Sequence, residues 1–315
     1  MLQKIAATKK LSVAERYCQV QTKYSPITIK MPTNASPIAV LDSGLGGLTV
    51  VRELRRQCPA ESIIYFGDTA RVPYGIKSPE TVTTFVREII TYLQRYRPKH
   101  VVIACNTATA VALDAIKQEF PHLPITGVIE PGARAAIDAA GNKPVPRIGV
   151  IATEATARSK AYDRAIHRRR QHARIGVFPT PLLVPIIEDG REETDPLVQL
   201  ALSQYLQPLL EKKLDVLVLG CTHYPIFKNL ITRMMGGTCR VIDSAEQCAK
   251  DVAQRLVVNG LAADESNVGD LKCFVTDDPI RFGALAGRFL GTSVVEAVKV
   301  AVDDLMKQPP LRAVG

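Results

Sequence analysis

The sequence predicts an α/β fold of two similar halves, each a mostly parallel sheet flanked by helices. From Pro37 onward, short β-branched runs alternate with longer helical stretches, which is the rhythm of strand–helix–strand units. The runs at 101–104 (VVIA) and 216–220 (VLVLG) are apolar without alternation, as suits central parallel strands covered on both faces. Those strands also end alike, in VVIACNTAT and VLVLGCTHY, a short echo that suggests two related halves facing each other.

The elements follow in order. IAVL at 38–41 leads into the helical stretch LTVVRELRRQ, and IIYF at 63–66 into a turn-rich loop and TVTTFVREIITYLQRY. HVVIAC gives way to ATAVALDAIKQEF, PITGVI to PGARAAIDAA, RIGVIA to ARSKAYDRAIHRRR, and RIGVFPT to a proline-rich connection. A helix around 197–210, the strand DVLVLG, a helix near 225–235 and VIDS at 241–244 before another helix complete the pattern.

Composition narrows the class. With 315 residues, 46% of them hydrophobic, the chain can bury the core of one large or two medium α/β domains. It has no run of eighteen apolar residues, so no membrane helix is expected. Lys4, Lys9, Lys10, Arg16, Lys23 and Lys30 face only Glu15, and 1–36 reads as a basic, disordered extension. An apolar signal core is absent there, as is the Arg-rich amphipathic helix of a transit peptide. The seven cysteines, an odd number without CxxC pairs, look like reduced thiols of a cytoplasmic protein rather than a disulfide framework.

Net charge is +9, and HRRR at 167–170 forms a basic cluster. Such a run can touch phosphate, but no aromatic residue interleaves it, and a solvated helix face explains it better. Nucleic acid is therefore not an expected partner, although a basic binding protein is the non-enzyme alternative.

Ligands of open parallel sheets bind beyond the carboxyl ends of the strands, where loops converge and helix N-termini point their amides outward. Here those ends carry Asp42 and Ser43, Asp68, then Cys105, Asn106 and Thr107, and finally Cys221, Thr222 and His223. The loop DSGLGGL at 42–48 resembles a phosphate-binding turn, but Thr49 stands where the third glycine of GxGxxG would fall, which argues against a dinucleotide. Its glycines serve either close approach to a small anion or a tight turn.

A lone strand-end cysteine is usually a small buried hydrophobe; two, each beside amide or hydroxyl groups, point to chemistry. Zinc would need three or four ligands, and CTH offers a pair. A Cys/His hydrolase would leave one cysteine without a role. A two-base isomerase uses both: one thiolate takes the Cα proton and the opposite thiol returns one to the other face. That needs a thiol below its ordinary pKa of about 8.5, through amide dipoles, a helix N-terminus or His223. It also needs donors for the substrate carboxylate, for which Ser43, Asn106, Thr107, Thr222 and amides near Gly75 are suited.

The motifs LDSGLGGLTV at 41–50, YFGDTARVPYG at 65–75, VIACNTATA at 102–110, VIEPGARAA at 128–136, PLLVPIIEDG at 181–190 and LGCTHYPI at 219–226 occur in order. Over about 37–260 the chain thus resembles the aspartate/glutamate racemases. The resemblance implies two α/β domains with the active site in the cleft between them, and a homodimer. It implies interconversion of L- and D-glutamate without pyridoxal phosphate, metal or nucleotide, supplying D-glutamate for peptidoglycan; aspartate racemisation is the sister alternative. Cys105 and Cys221 match the acid/base pair, with Asp42 assisting the first and His223 and Glu188 the second. Asp42, Ser43, Tyr74, Gly75, Asn106, Thr107, Thr222 and His223 match substrate contacts, and Thr109 is a further candidate. The expected division is 37–128 plus 244–300 for one domain and 129–243 for the other, with 301–315 as a tail. Residues beyond about 265 show no such match.

Overall fold

A computed structural model describes residues 32–292 and 295–307. Most of the expected basic extension, 1–31, and the end of the tail, 308–315, lie outside them. The first half opens with β1 (Ile38–Asp42), α1 (Leu48–Gln57), β2 (Ile63–Gly67), α2 (Pro79–Leu93), β3 (His100–Ile103), α3 (Asn106–Glu119) and β4 (Ile125–Gly127). The second holds α4 (Ile129–Ala140), β5 (Arg147–Ala152), α5 (Glu154–Ser159), α6 (Ala161–His167), β6 (Arg174–Pro179), α7 (Leu183–Glu188), α8 (Pro196–Glu211), β7 (Val216–Gly220), α9 (Lys228–Met235) and β8 (Arg240–Asp243). The chain then returns through α10 (Ser244–Val258), β9 (Leu271–Val275), α11 (Pro279–Leu290), β10 (Ala297–Lys299) and α12 (Val302–Met306).

Two parallel sheets result, ordered β10-β9-β2-β1-β3-β4 and β6-β5-β7-β8. The first contains the order 2-1-3-4, and the second repeats it as 6-5-7-8. The echo between the two cysteine motifs therefore marks equivalent places, since β3 and β7 occupy the same position in their halves. Both strands are wholly buried, in keeping with their unbroken apolar runs.

Local chemistry explains the element limits. Ser78 caps α2 by accepting from the Thr81 amide at 3.3 Å, with Pro79 preset for the first turn. Asp195 does the same for α8 ahead of Pro196. The single helix expected over ARSKAYDRAIHRRR is two, because Lys160 adopts φ +56 and breaks the ladder.

The region after 265 is built into the first half: β9 inserts between β2 and β10. Residues 302–306, expected as tail, form α12, whose Leu305 is buried in the first core. HRRR lies at the end of α6 and in the turn after it rather than along a helix face; Arg168 and Arg169 pair with Glu130, while Arg170 donates to the carbonyls of Lys143 and Gly141 at 3.2 and 3.1 Å. Among the described residues no helix is long and apolar enough to cross a membrane, and the six described cysteines are free.

Candidate active site

The carboxyl ends of β1, β3, β5, β6 and β7 converge on a cavity of about 380 Å³, with Ser43, Cys105, Thr153, Thr180 and Cys221 in its wall. Tyr74, Gly75, Asn106, Thr107, Glu188, Thr222 and His223 line it too. A shallower hollow of about 410 Å³ beside Tyr92, Arg95 and Lys299 holds none of these residues. Asp42 lies behind the wall rather than in it, wholly buried. Thr109 is also outside: its hydroxyl donates to the Ile103 carbonyl at 2.9 Å, tying α3 to β3.

On the first side, Cys105 caps α3, its sulfur accepting from the Ala108 amide at 3.5 Å. Burial and the nearby Asp42 carboxylate push this thiol up to about 12, against the Ala108 amide and the Ser43 hydroxyl, which act the other way. The expected lowering is thus reversed at Cys105, because loss of solvent and a like charge outweigh the helix end. Asp42 is itself raised, by burial first, although His223 and the Gly44 and Gly47 amides oppose the shift.

On the second side, His223 Nδ1 lies 3.8 Å from the Cys221 sulfur, and its Nε2 lies 3.0 Å from Glu188 Oε1. Burial alone would hold the imidazole neutral, but Cys221 and Glu188 overcome it and bring the pKa up to about 10. The same contact keeps Glu188 below its ordinary value despite burial. His223 is therefore an imidazolium at neutral pH, oriented by a carboxylate on its far nitrogen.

The walls are joined across the cleft. Tyr162 donates to Asn106 Oδ1 at 2.8 Å, the Thr107 and Thr153 hydroxyls meet at 2.9 Å, and Thr49 donates to the Thr222 carbonyl at 2.9 Å. With its oxygen so used, Asn106 keeps a buried amide nitrogen with no partner. The glycine loop is part of the same joint: a Cβ on Gly46 would stand 2.3 Å from Thr222 Oγ1 and 2.4 Å from His223 Nδ1. Close packing of the two halves requires glycine there.

Tyr74 and Gly75 open a 3-10 turn over Tyr74–Ile76, and a buried network holds the Tyr74 side chain. Asp68 accepts from the Tyr74 hydroxyl, from Arg71 Nε at 2.7 Å and from Thr276 Oγ1 at 3.0 Å. Sequence reasoning missed Thr153 and Thr180. They follow β5 and β6 as Ser43 and Asp68 follow β1 and β2, so the strand-end rule applied to the second half finds them.

A sequence model described as Asp/Glu/Hydantoin racemase matches residues 38–252. The chain belongs to this racemase family. Glutamate racemase of Neisseria meningitidis serogroup A is 43% identical over 266 residues, 84% of this chain and 97% of that protein. Among solved structures, glutamate racemase isoform RacE1 from Bacillus anthracis superposes with a TM-score of 0.80 at 39% identity, covering 85% of this chain and 98% of that one. The glutamate racemase of Francisella tularensis, solved in complex with D-glutamate, gives 0.78 at 35% identity over 86% and 99%. These alignments cover more residues than the stretch 37–260 that carries the resemblance in sequence. Within this racemase fold, no group of three or more His, Cys, Asp or Glu side chains among the described residues is placed to hold a metal ion.

Proposed function

We propose that the protein interconverts L- and D-glutamate by moving one proton at Cα between Cys105 and Cys221. The observation that supports this best is that both sulfurs open into one cavity from equivalent strand ends of two sheets. The sulfur facing the imidazolium is suited to carry negative charge, and the sulfur facing a carboxylate is suited to keep its proton. Attack from Cys221 and return from Cys105 inverts the centre, and the reverse passage restores the starting charges.

The Cα proton is far less acidic than a thiol, so the charge that develops on the substrate carboxylate must be met by fixed donors. The unpartnered Asn106 amide, the N-terminal amides of α3 and the Thr222 hydroxyl supply them. An ammonium group brought in by the substrate lowers the cost of a thiolate at Cys105, where the local field otherwise disfavours it. Asp42 acts on Cys105 through its charge from behind the wall, while His223 and Glu188 serve Cys221. We further propose that the D-glutamate enters peptidoglycan, that the enzyme works in the cytoplasm, and that it is a homodimer; its glutamate racemase relatives are bacterial.

Cα deuterium incorporation from each glutamate enantiomer in D₂O tests the reaction, with aspartate as control. Wild type exchanges and racemises glutamate, and Cys105→Ala or Cys221→Ala abolishes racemisation. Exchange with aspartate alone, or undiminished racemisation in either variant, removes the proposal.

A further inference from the structure

Helix α11 lies outside the stretch 38–252 that the family model matches, yet it reaches the Cys221 side of the cavity. Its Phe289, 1% exposed, sets its ring perpendicular to the His223 imidazole, 5.6 Å between centroids at 89°. The neighbouring Arg288 donates to the carbonyl of Ile187 at 3.1 Å and to that of Arg191. Ile187 immediately precedes Glu188 at the end of α7, so this guanidinium closes the helix whose last residue holds His223. The end of α11 is anchored in turn, because Arg52 of α1 donates to the Phe289 carbonyl at 3.4 Å.

We infer that Phe289 and Arg288 are positioning residues for the His223–Glu188 pair, one fixing the plane of the imidazole and the other the place of the carboxylate. Neither is assigned to the cavity wall; they act through the two side chains that are. The charged and titratable groups around His223 are Cys221, Glu188 and Asp42, and Arg281, also on α11, acts on Glu188. A perpendicular aromatic contact and a two-carbonyl anchor hold orientation rather than supply charge. Orientation is what a 3.0 Å hydrogen bond at His223 Nε2 depends on. The inference rests on the proposed use of Cys221, but its first readout does not.

The test is an NMR titration of His223 in the full-length protein, its signal assigned among the five histidines with His223→Asn. Phe289→Leu and Arg288→Ala each lower the His223 midpoint by about 0.5–1 pH unit, the scale of a weakened charged hydrogen bond. Glutamate kcat falls about 10-fold with KM changed less than about twofold, because alignment rather than uniform binding is lost. Arg288→Lys recovers part of both, since an ammonium still reaches one carbonyl. Should Phe289→Leu fail to fold, the Arg288 pair decides. An unmoved His223 midpoint in the folded variants, even with a lower Tm, overturns the inference, because α11 then only packs. If Cys221→Ala keeps racemase activity while the midpoint still shifts, the two-cysteine reading fails and the positioning stands.

Discussion

Cys105 and Cys221 end equivalent strands of two sheets with the same strand order, yet their surroundings differ in almost every physical respect. Cys105 caps α3, a helix of 14 residues, and has the Asp42 carboxylate for a neighbour. Cys221 is followed by a 3-10 turn over Tyr224–Phe227 and has the His223 imidazolium for a neighbour. Each sulfur thus meets one group that favours the thiolate or one that opposes it, and the signs are opposite across the cleft. A pair of identical groups is made inequivalent by its neighbours, as a one-proton relay between two thiols requires.

The strongest way to break this comparison is to remove the sulfurs one at a time. Cys105→Ser and Cys221→Ser are each expected to lower kcat/KM for glutamate by about 10³–10⁴-fold, the upper range of acid/base contributions. A variant that retains activity would reduce the pair to one acting base. The next largest effect sharpens the difference in charge: His223→Asn is expected to cost about 10²-fold. In wild type, activity is expected to fall as pH rises through about 10, where His223 loses its proton. That limb of the pH–rate profile is expected to vanish in the variant, and a limb that persists would place the titration on another group.

Two buried histidines, one in each half, carry the comparison into stability. His100 on β3 is pushed down to about 4 by burial, with Arg255 and Lys117 adding to it, and its Nε2 pairs with Thr126 at 2.8 Å. Its contribution is complete above the unfolded value near 6.5 and is lost as pH falls through about 4. Roughly 2–4 kcal/mol is at stake, so His100→Gln should flatten the acid side of a plot of Tm against pH. His223 runs the other way, its contribution present below 6.5 and lost as pH rises through about 10. An acid slope identical in wild type and His100→Gln would refute the assignment. The smallest expected effect tests the joint between halves. Gly46→Ala forces a methyl against Thr222 and His223 and should cost about 1–3 kcal/mol in denaturant unfolding.

Much of this was legible in the chain itself. The alternating pattern places eight of the ten described strands close to where the apolar runs stop, and it misses β9 and β10. LKCFV at 271–275 is only half-buried, near one edge of the sheet, so its pattern is weak. Ser43, Tyr74, Gly75, Asn106, Thr107, Glu188, Thr222 and His223 all line one cavity, whereas Thr109 and Asp42 do not. Local text cannot separate a hydroxyl that faces a cleft from one that turns back to its own strand, as Thr109 does.

What the sequence by itself determined is the α/β class, the repeated strand-end motif and the two cysteines, because strand periodicity and the polarity of a strand's end are properties of a few consecutive residues. Tertiary structure alone decided the charge each sulfur meets, the close approach that Gly46 permits, and the reach of α11 to His223. Those depend on groups far apart in the chain, such as Thr49 and Thr222, separated by 173 positions, and on burial that only the folded halves impose. Desolvation and Coulomb forces act through space, and no local pattern encodes the distance over which they act.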